Sequence, residues 1–86
     1  MRITVSGRVQ GVGFRASCAR EAKTLGVVGS VLNLPDGSVA VVAEGEESAV
    51  NALITWCHSG PAFANVQGLE CQPETPQGDT SFRILG

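Results

Sequence analysis

An α+β sandwich, two helices on one face of an antiparallel sheet, is the fold class that the sequence predicts, and three observations predict it. Short β-branched runs and two helical patterns follow one another as β-α-β-β-α-β, with a short additional strand near the end. Both helical stretches carry one apolar stripe, so each packs through a single face. At 86 residues, 43% apolar and 16% charged, the chain is long enough for one core and shows no linker or internal repeat. One domain over residues 1–86 is expected.

Residues 2–6 alternate and include β-branched types, which predicts the first strand. Gly7–Gly13 holds three glycines in seven residues and reads as a loop. From Phe14 the period becomes helical: Phe14, Cys18, Ala22 and Leu25 line one face, and Gly26 stands where a helix stops. Val27–Leu32 is an apolar, β-branched second strand. Leu34-Pro35-Asp36-Gly37 is a turn that makes a hairpin with a third strand, Val39–Ala43. Glu46–His58 is a second helix, acidic in its first turn, with Val50, Leu53, Ile54 and Cys57 as its buried stripe and Trp56 widening it. Gly60-Pro61 ends it. Val66–Cys71 and Ser81–Leu85 are the final strands, joined by a polar loop with Pro73, Pro76 and Gly78. This order fits the ferredoxin-like split βαβ sandwich. That architecture hosts enzymes, regulatory domains and RNA binders alike, so function must be read from a site.

Composition narrows the classes. A net charge of −2 argues against a nucleic-acid surface, and with no tyrosine there is little to stack bases on. No apolar run approaches the roughly 20 residues that cross a bilayer, and a strand-like segment replaces any signal-peptide pattern at the start. Cys18, Cys57 and Cys71 are an odd count without close spacing. They suggest neither a disulfide framework nor a zinc site, although one internal pair stays open. A cytoplasmic monomer is expected.

The informative stretch is Gly7-Arg8-Val9-Gln10-Gly11-Val12-Gly13-Phe14-Arg15, a glycine loop running from a strand into a helix start. Glycine lets the backbone come close to a ligand. Successive N–H groups can then converge on an anion, and the helix N-terminus adds unpaired donors. Arg15 can fold back over them, its planar fork matching two phosphoryl oxygens. Other phosphate motifs do not fit. There is no Gly-Lys-Ser/Thr ending, no third glycine of a dinucleotide fingerprint, no arginine six residues after a cysteine, and only one histidine. Asp36 and Asp79 are the only aspartates, too far apart for an aspartyl-phosphate nucleophile with its acid partner. Two readings of these residues stand: an anion loop with Arg15 as its charged ligand, or a tight connection beside a solvated arginine.

The stretch Gly7–Arg15 resembles the acylphosphatase signature, which also ends in Phe-Arg at a helix start. Gly29–Val39 is similar to that family's strand-Asn-turn-strand segment, at the right spacing. Ala22-x-x-Leu25-Gly26, Glu44-Gly45, Trp56, Gly60-Pro61, Ala64-x-Val66 and Phe82-x-Ile84 extend the resemblance over nearly the whole chain. It implies a hydrolase that splits carboxyl-phosphate anhydrides into carboxylate and inorganic phosphate, with no metal, cofactor or covalent intermediate. It implies that Arg15 binds the phosphoryl group with the loop backbone of Val9, Gln10, Gly11, Val12, Gly13 and Phe14, and that Asn33 orients the attacking water. Ser30 stands where relatives usually carry an aromatic residue and Ala40 where a glutamate is common; neither removes an implied catalytic group. The family's domain also begins a large carbamoyltransferase, where a proline normally follows the Phe-Arg. Ala16 follows here, which favours the stand-alone enzyme.

The chemistry suits such residues. An acyl phosphate has a good leaving group, so positioning and charge neutralisation suffice. An asparagine amide can both donate to and accept from one water. The other polar residues have plainer readings: Arg8, Arg20 and Lys23 as solvated surface, His58 as a helix-end charge, Cys18 and Cys57 as core, and Phe14 as packing under the loop. Were the last strand to neighbour the first, the Gly86 carboxylate would approach Arg15. The alternative function is a non-enzymatic anion-binding or regulatory module on the same fold, which would need Arg15 but not Asn33.

Overall fold

The computed structural model describes residues 1–86. The elements are β1 (Arg2–Arg8), α1 (Phe14–Leu25), β2 (Val28–Asn33), β3 (Val39–Glu44), α2 (Glu47–Ser59), β4 (Asn65–Gln72) and β5 (Phe82–Ile84). β1 runs two residues past its expected end, because Gly7 and Arg8 still pair with Val66 and Asn65 across a register shift. The expected loop therefore shortens to residues 9–13.

The sheet order is β4-β1-β3-β2-β5. β1 is antiparallel to β3 and β4, and β2 to β3. β5 is parallel to β2, with Gly29 opposite Phe82 and Val31 opposite Ile84. The sheet is thus mixed, not wholly antiparallel as expected. The connection after β4 carries the chain from one sheet edge to the other, and β5 arrives running with β2. Because β5 lies beside β2 and not β1, Gly86 meets Asn33: an oxygen of its carboxylate accepts the Asn33 backbone N–H at 2.8 Å. No carboxylate, the C-terminal one included, pairs with Arg15.

One face of the sheet carries both helices. Ile3, Val5, Val31, Val39, Val41 and Ala43 supply the sheet's side of the core, and Phe14, Cys18, Ala22, Val50, Leu53 and Cys57 supply the helices' side. Fully burying a Val, Leu, Ile or Phe side chain is worth about 1.5–3 kcal/mol, and the smaller alanines contribute less. Leu25, Ile54 and Trp56 are only half-buried at the margin. Helix α1 stops at Gly26, where the Val27 N–H returns to Ala22 O at 2.9 Å and the Gly26 N–H to Lys23 O at 3.2 Å. Phe14 packs on Trp56 with ring centroids 5.3 Å apart at 58°, which joins the start of α1 to the end of α2.

Cys18 and Cys57 face each other across the helix pair as free, buried thiols, while Cys71 is exposed. The hydrogen bond to Cys18, together with burial, pushes the Cys57 thiol up, so it stays protonated core. No helix is long and apolar enough to cross a membrane.

Candidate active site

The strand order puts the loop and the Asn33 turn at one end of the sheet. Val5 and Asn33 both lie opposite Val39, so the end of β1 and the end of β2 flank the start of β3. Alternation then decides where Asn33 points. It lies two residues beyond the buried Val31 and so faces the helix side, below the start of α1.

The loop's backbone is set by its glycines. Gly11 and Gly13 have φ of +74° and +79°, a region that costs other residues roughly 1–2 kcal/mol. A Cβ at either would meet no atom within 4 Å, so the requirement is conformational, not one of space. Gly13 is the N-cap of α1 and, without a side chain, leaves the first turn uncapped. The N–H groups of Gln10–Gly13 and of Phe14, Arg15 and Ala16 find no acceptor in the protein. Unpaired N–H groups at a helix start, with the helix dipole behind them, form an anion site.

A cavity of about 240 Å³ opens at this point, lined by Val9, Gly11, Gly13, Phe14, Arg15, Ala16, Asn33 and Ile84. Arg15 is half-buried and makes no ion pair and no side-chain hydrogen bond within the chain. It is the one charged side chain in the cavity wall. Asn33 Oδ1 is buried without a hydrogen-bond partner. A buried acceptor left unpaired costs about 1–3 kcal/mol, so its presence calls for an account. The cavity thus joins a fixed set of N–H donors, one free guanidinium and one free amide oxygen.

A larger cavity, about 410 Å³, lies at the opposite end of the sheet between Met1, Glu44, Glu47, Asn51 and Pro76. Two carboxylates and no arginine or lysine line it, so it does not suit a phosphoryl group.

Of the residues expected from the sequence, Val9, Gly11, Gly13, Phe14, Arg15 and Asn33 come together in the smaller cavity. Val12 and the Gln10 side chain do not line it: Val12 packs against the core, and Gln10 turns to the β2–β3 hairpin. Ile84 was not expected there. It shares a face with the buried Phe82 two residues earlier and is 49% exposed, leaving an apolar edge at the cavity mouth. Ser30 and Ala40 lie on the helix-free face of the sheet, one position off the row of Val31 and Val41, and do not border the cavity. Arg8, Arg20, Lys23 and His58 are exposed.

The comparisons with known proteins agree with this geometry. A family model described as Acylphosphatase matches residues 1–84. The chain is similar to an acylphosphatase of Anaeromyxobacter dehalogenans, at 58% identity over 91% of this chain and 84% of that one. It is similar to one of Thermococcus kodakarensis, at 51% identity over 98% of this chain and 92% of the other. The crystal structure of acylphosphatase from Bacillus subtilis superposes with a TM-score of 0.93 at 36% identity, over 99% of this chain and 96% of that chain. Nothing in these likenesses supports the non-enzymatic module. With the match running the length of the chain and over the cavity that holds Arg15 and Asn33, the chain belongs to the acylphosphatase family and has its hydrolytic function, release of inorganic phosphate from an acyl phosphate.

Proposed function

We propose that Arg15 and Asn33 carry this hydrolysis between them, as phosphoryl ligand and water-orienting group. The observation behind the assignment is the buried, unpartnered Asn33 Oδ1 in the cavity that Arg15 lines. The phosphoryl group sits in the loop. The free N–H groups and the Arg15 fork donate to its oxygens and offset the charge that builds up on them. One water donates to Asn33 Oδ1 and so has a lone pair aimed at phosphorus. It attacks in line as the bond from phosphorus to the acyl oxygen breaks, and the carboxylate leaves with that bond's electron pair. An amide is too weak a base to take the water's proton, which goes to a phosphoryl oxygen. Neither a metal ion nor a covalent intermediate enters this scheme.

Each preorganised donor in such a site is worth about 3–4 kcal/mol of barrier, or roughly 10²–10³ in rate. The scheme is tested by hydrolysing benzoyl phosphate in ¹⁸O-labelled water, with inorganic phosphate as competitor, with and without a chelator. Label in the phosphate, competitive inhibition and no chelator effect are expected. Label in the benzoate would place attack at the acyl carbon, and loss of rate with chelator would remove the metal-free step. We further propose that the working form is a monomeric single domain spanning residues 1–86, since one chain supplies the whole cavity. A reducing compartment, the cytoplasm, suits its three free cysteines.

A further inference from the structure

We propose that Gln10 is a positioning residue whose side-chain amide sets the distance between the phosphoryl loop and the Asn33 hairpin; this rests on the roles proposed for Arg15 and Asn33. Gln10 Nε2 donates to Leu34 O at 2.8 Å and to Ser38 O at 2.9 Å, carbonyls 24 and 28 residues further along the chain. An amide nitrogen has two hydrogens, and both are used. The two carbonyls form the neck of the hairpin, immediately after Asn33.

The hairpin that Gln10 grips is rigid in itself. Leu34 N–H donates to Ser38 O at 2.8 Å and Gly37 N–H to Leu34 O at 3.1 Å. Asp36 Oδ1 accepts the Ser38 N–H at 2.9 Å and the Ser38 hydroxyl as well. Each neck carbonyl thus accepts one bond from the hairpin and one from Gln10, which fills both oxygens. The loop has no comparable bracing. Its N–H groups are free, Gly11 and Gly13 are two of its five residues, and its other ties are the Gly13 O that accepts the Ser17 N–H at 3.1 Å, where α1 begins, and the apolar contacts of Val9 and Val12.

The consequence is geometric. Phosphorus is placed by the loop and Arg15, whereas the water is placed by Asn33 on a different element. In-line attack depends on the separation of the two, and a misplacement of about 1 Å can cost on the order of a hundredfold. Gln10 bridges that separation directly. Its loss leaves each neck carbonyl with a hairpin bond, so no buried acceptor is stranded and the fold survives.

The test compares Gln10→Met, of similar volume without donors, with Gln10→Asn, which keeps the donors but is one methylene too short. For both, kcat on benzoyl phosphate is expected to fall about tenfold to a hundredfold. The inhibition constant of inorganic phosphate should move less than about threefold, since phosphate needs only the loop and Arg15. An unchanged kcat in either variant overturns the proposal. So does a phosphate constant that rises in step with the loss of kcat, which would mark Gln10 as shaping the loop alone. Should Gln10→Met fail to fold, Gln10→Asn carries the same two readings. Asn33→Ala is measured alongside. If it keeps full turnover, the assignment of Asn33 falls; if it loses turnover while the Gln10 variants keep theirs, the Gln10 proposal falls alone.

Discussion

Replacing Asn33 by alanine separates catalysis from folding, because the structure predicts opposite sizes for the two effects. Asn33 Oδ1 has no partner in the protein, so the substitution breaks no hydrogen bond at that atom. The backbone contributions of residue 33, the N–H to Gly86 O at 2.8 Å and the pairing with Val39, are kept by alanine. Removing a buried acceptor that nothing satisfies relieves a desolvation cost, while the lost packing works against it. The unfolding free energy should therefore stay within about 1 kcal/mol of wild type. In the reaction the same atom holds the attacking water. Its removal should lower kcat by about 10²–10³, equivalent to about 3–4 kcal/mol of barrier. Phosphate affinity should be retained, because Arg15 and the loop N–H groups are untouched. The assay pairs urea denaturation with steady-state hydrolysis of benzoyl phosphate and inhibition by inorganic phosphate. A variant that lost phosphate binding but kept turnover would refute the division of roles. A variant destabilised by several kcal/mol would show that the oxygen serves the fold.

Other perturbations test the remaining parts. Arg15→Lys keeps the charge and loses the planar fork, so kcat/KM should fall at least about a hundredfold while the melting temperature holds; near-normal kinetics would reduce Arg15 to a source of charge. Gly60→Ala places a Cβ 2.8 Å from Phe14 Cε2 in a backbone with φ of +66° and should cost about 1–3 kcal/mol, read as a lower urea midpoint; an unchanged midpoint would mean that Phe14 is free to move. The Asp36 carboxyl is held below its ordinary value of 3.8 by the Ser38 hydroxyl and then by the Ser38 N–H. A lowered pKa means the brace is complete above that value and is lost as pH falls through the folded-state value below it. Asp36→Ala should thus lose stability near neutral pH and converge with wild type in strong acid; a constant gap across that range would contradict the linkage.

The parts of the molecule legible in the sequence are those with local causes. Phe14, Cys18 and Ala22 step along one helical face whatever they pack against, and Gly26 stops that helix through bonds three and four residues back. Arg15 can be suspected on the same basis, since a glycine loop entering a helix start implies free N–H groups beside it. Asn33 cannot. An asparagine before a Pro-Asp-Gly turn is ordinary, and only the family resemblance singled it out; the structure adds the orphaned Oδ1. The direction of β5 was not legible because a strand of three residues carries no signal for parallel or antiparallel pairing. The Gln10 clamp was not legible because its partners are backbone carbonyls, which every residue has.

The strand order explains why so little side-chain chemistry is enough here. β3 runs between β1 and β2, so the loop after β1 and the turn after β2 emerge at one end with a single strand between them. The donors in the loop are backbone groups, turned inward by the positive φ that Gly11 and Gly13 permit and by the start of α1, and they cost no side-chain entropy when phosphate arrives. Since the leaving carboxylate needs no strong acid, nothing in the reaction calls for a shifted histidine or a second carboxylate, and the cavity wall has neither. What the chemistry requires is a constant spacing between the loop and the braced hairpin, which the Gln10 amide spans. Added charge at the rim should therefore change phosphate affinity more than kcat, whereas loosening the contact between loop and hairpin should do the reverse.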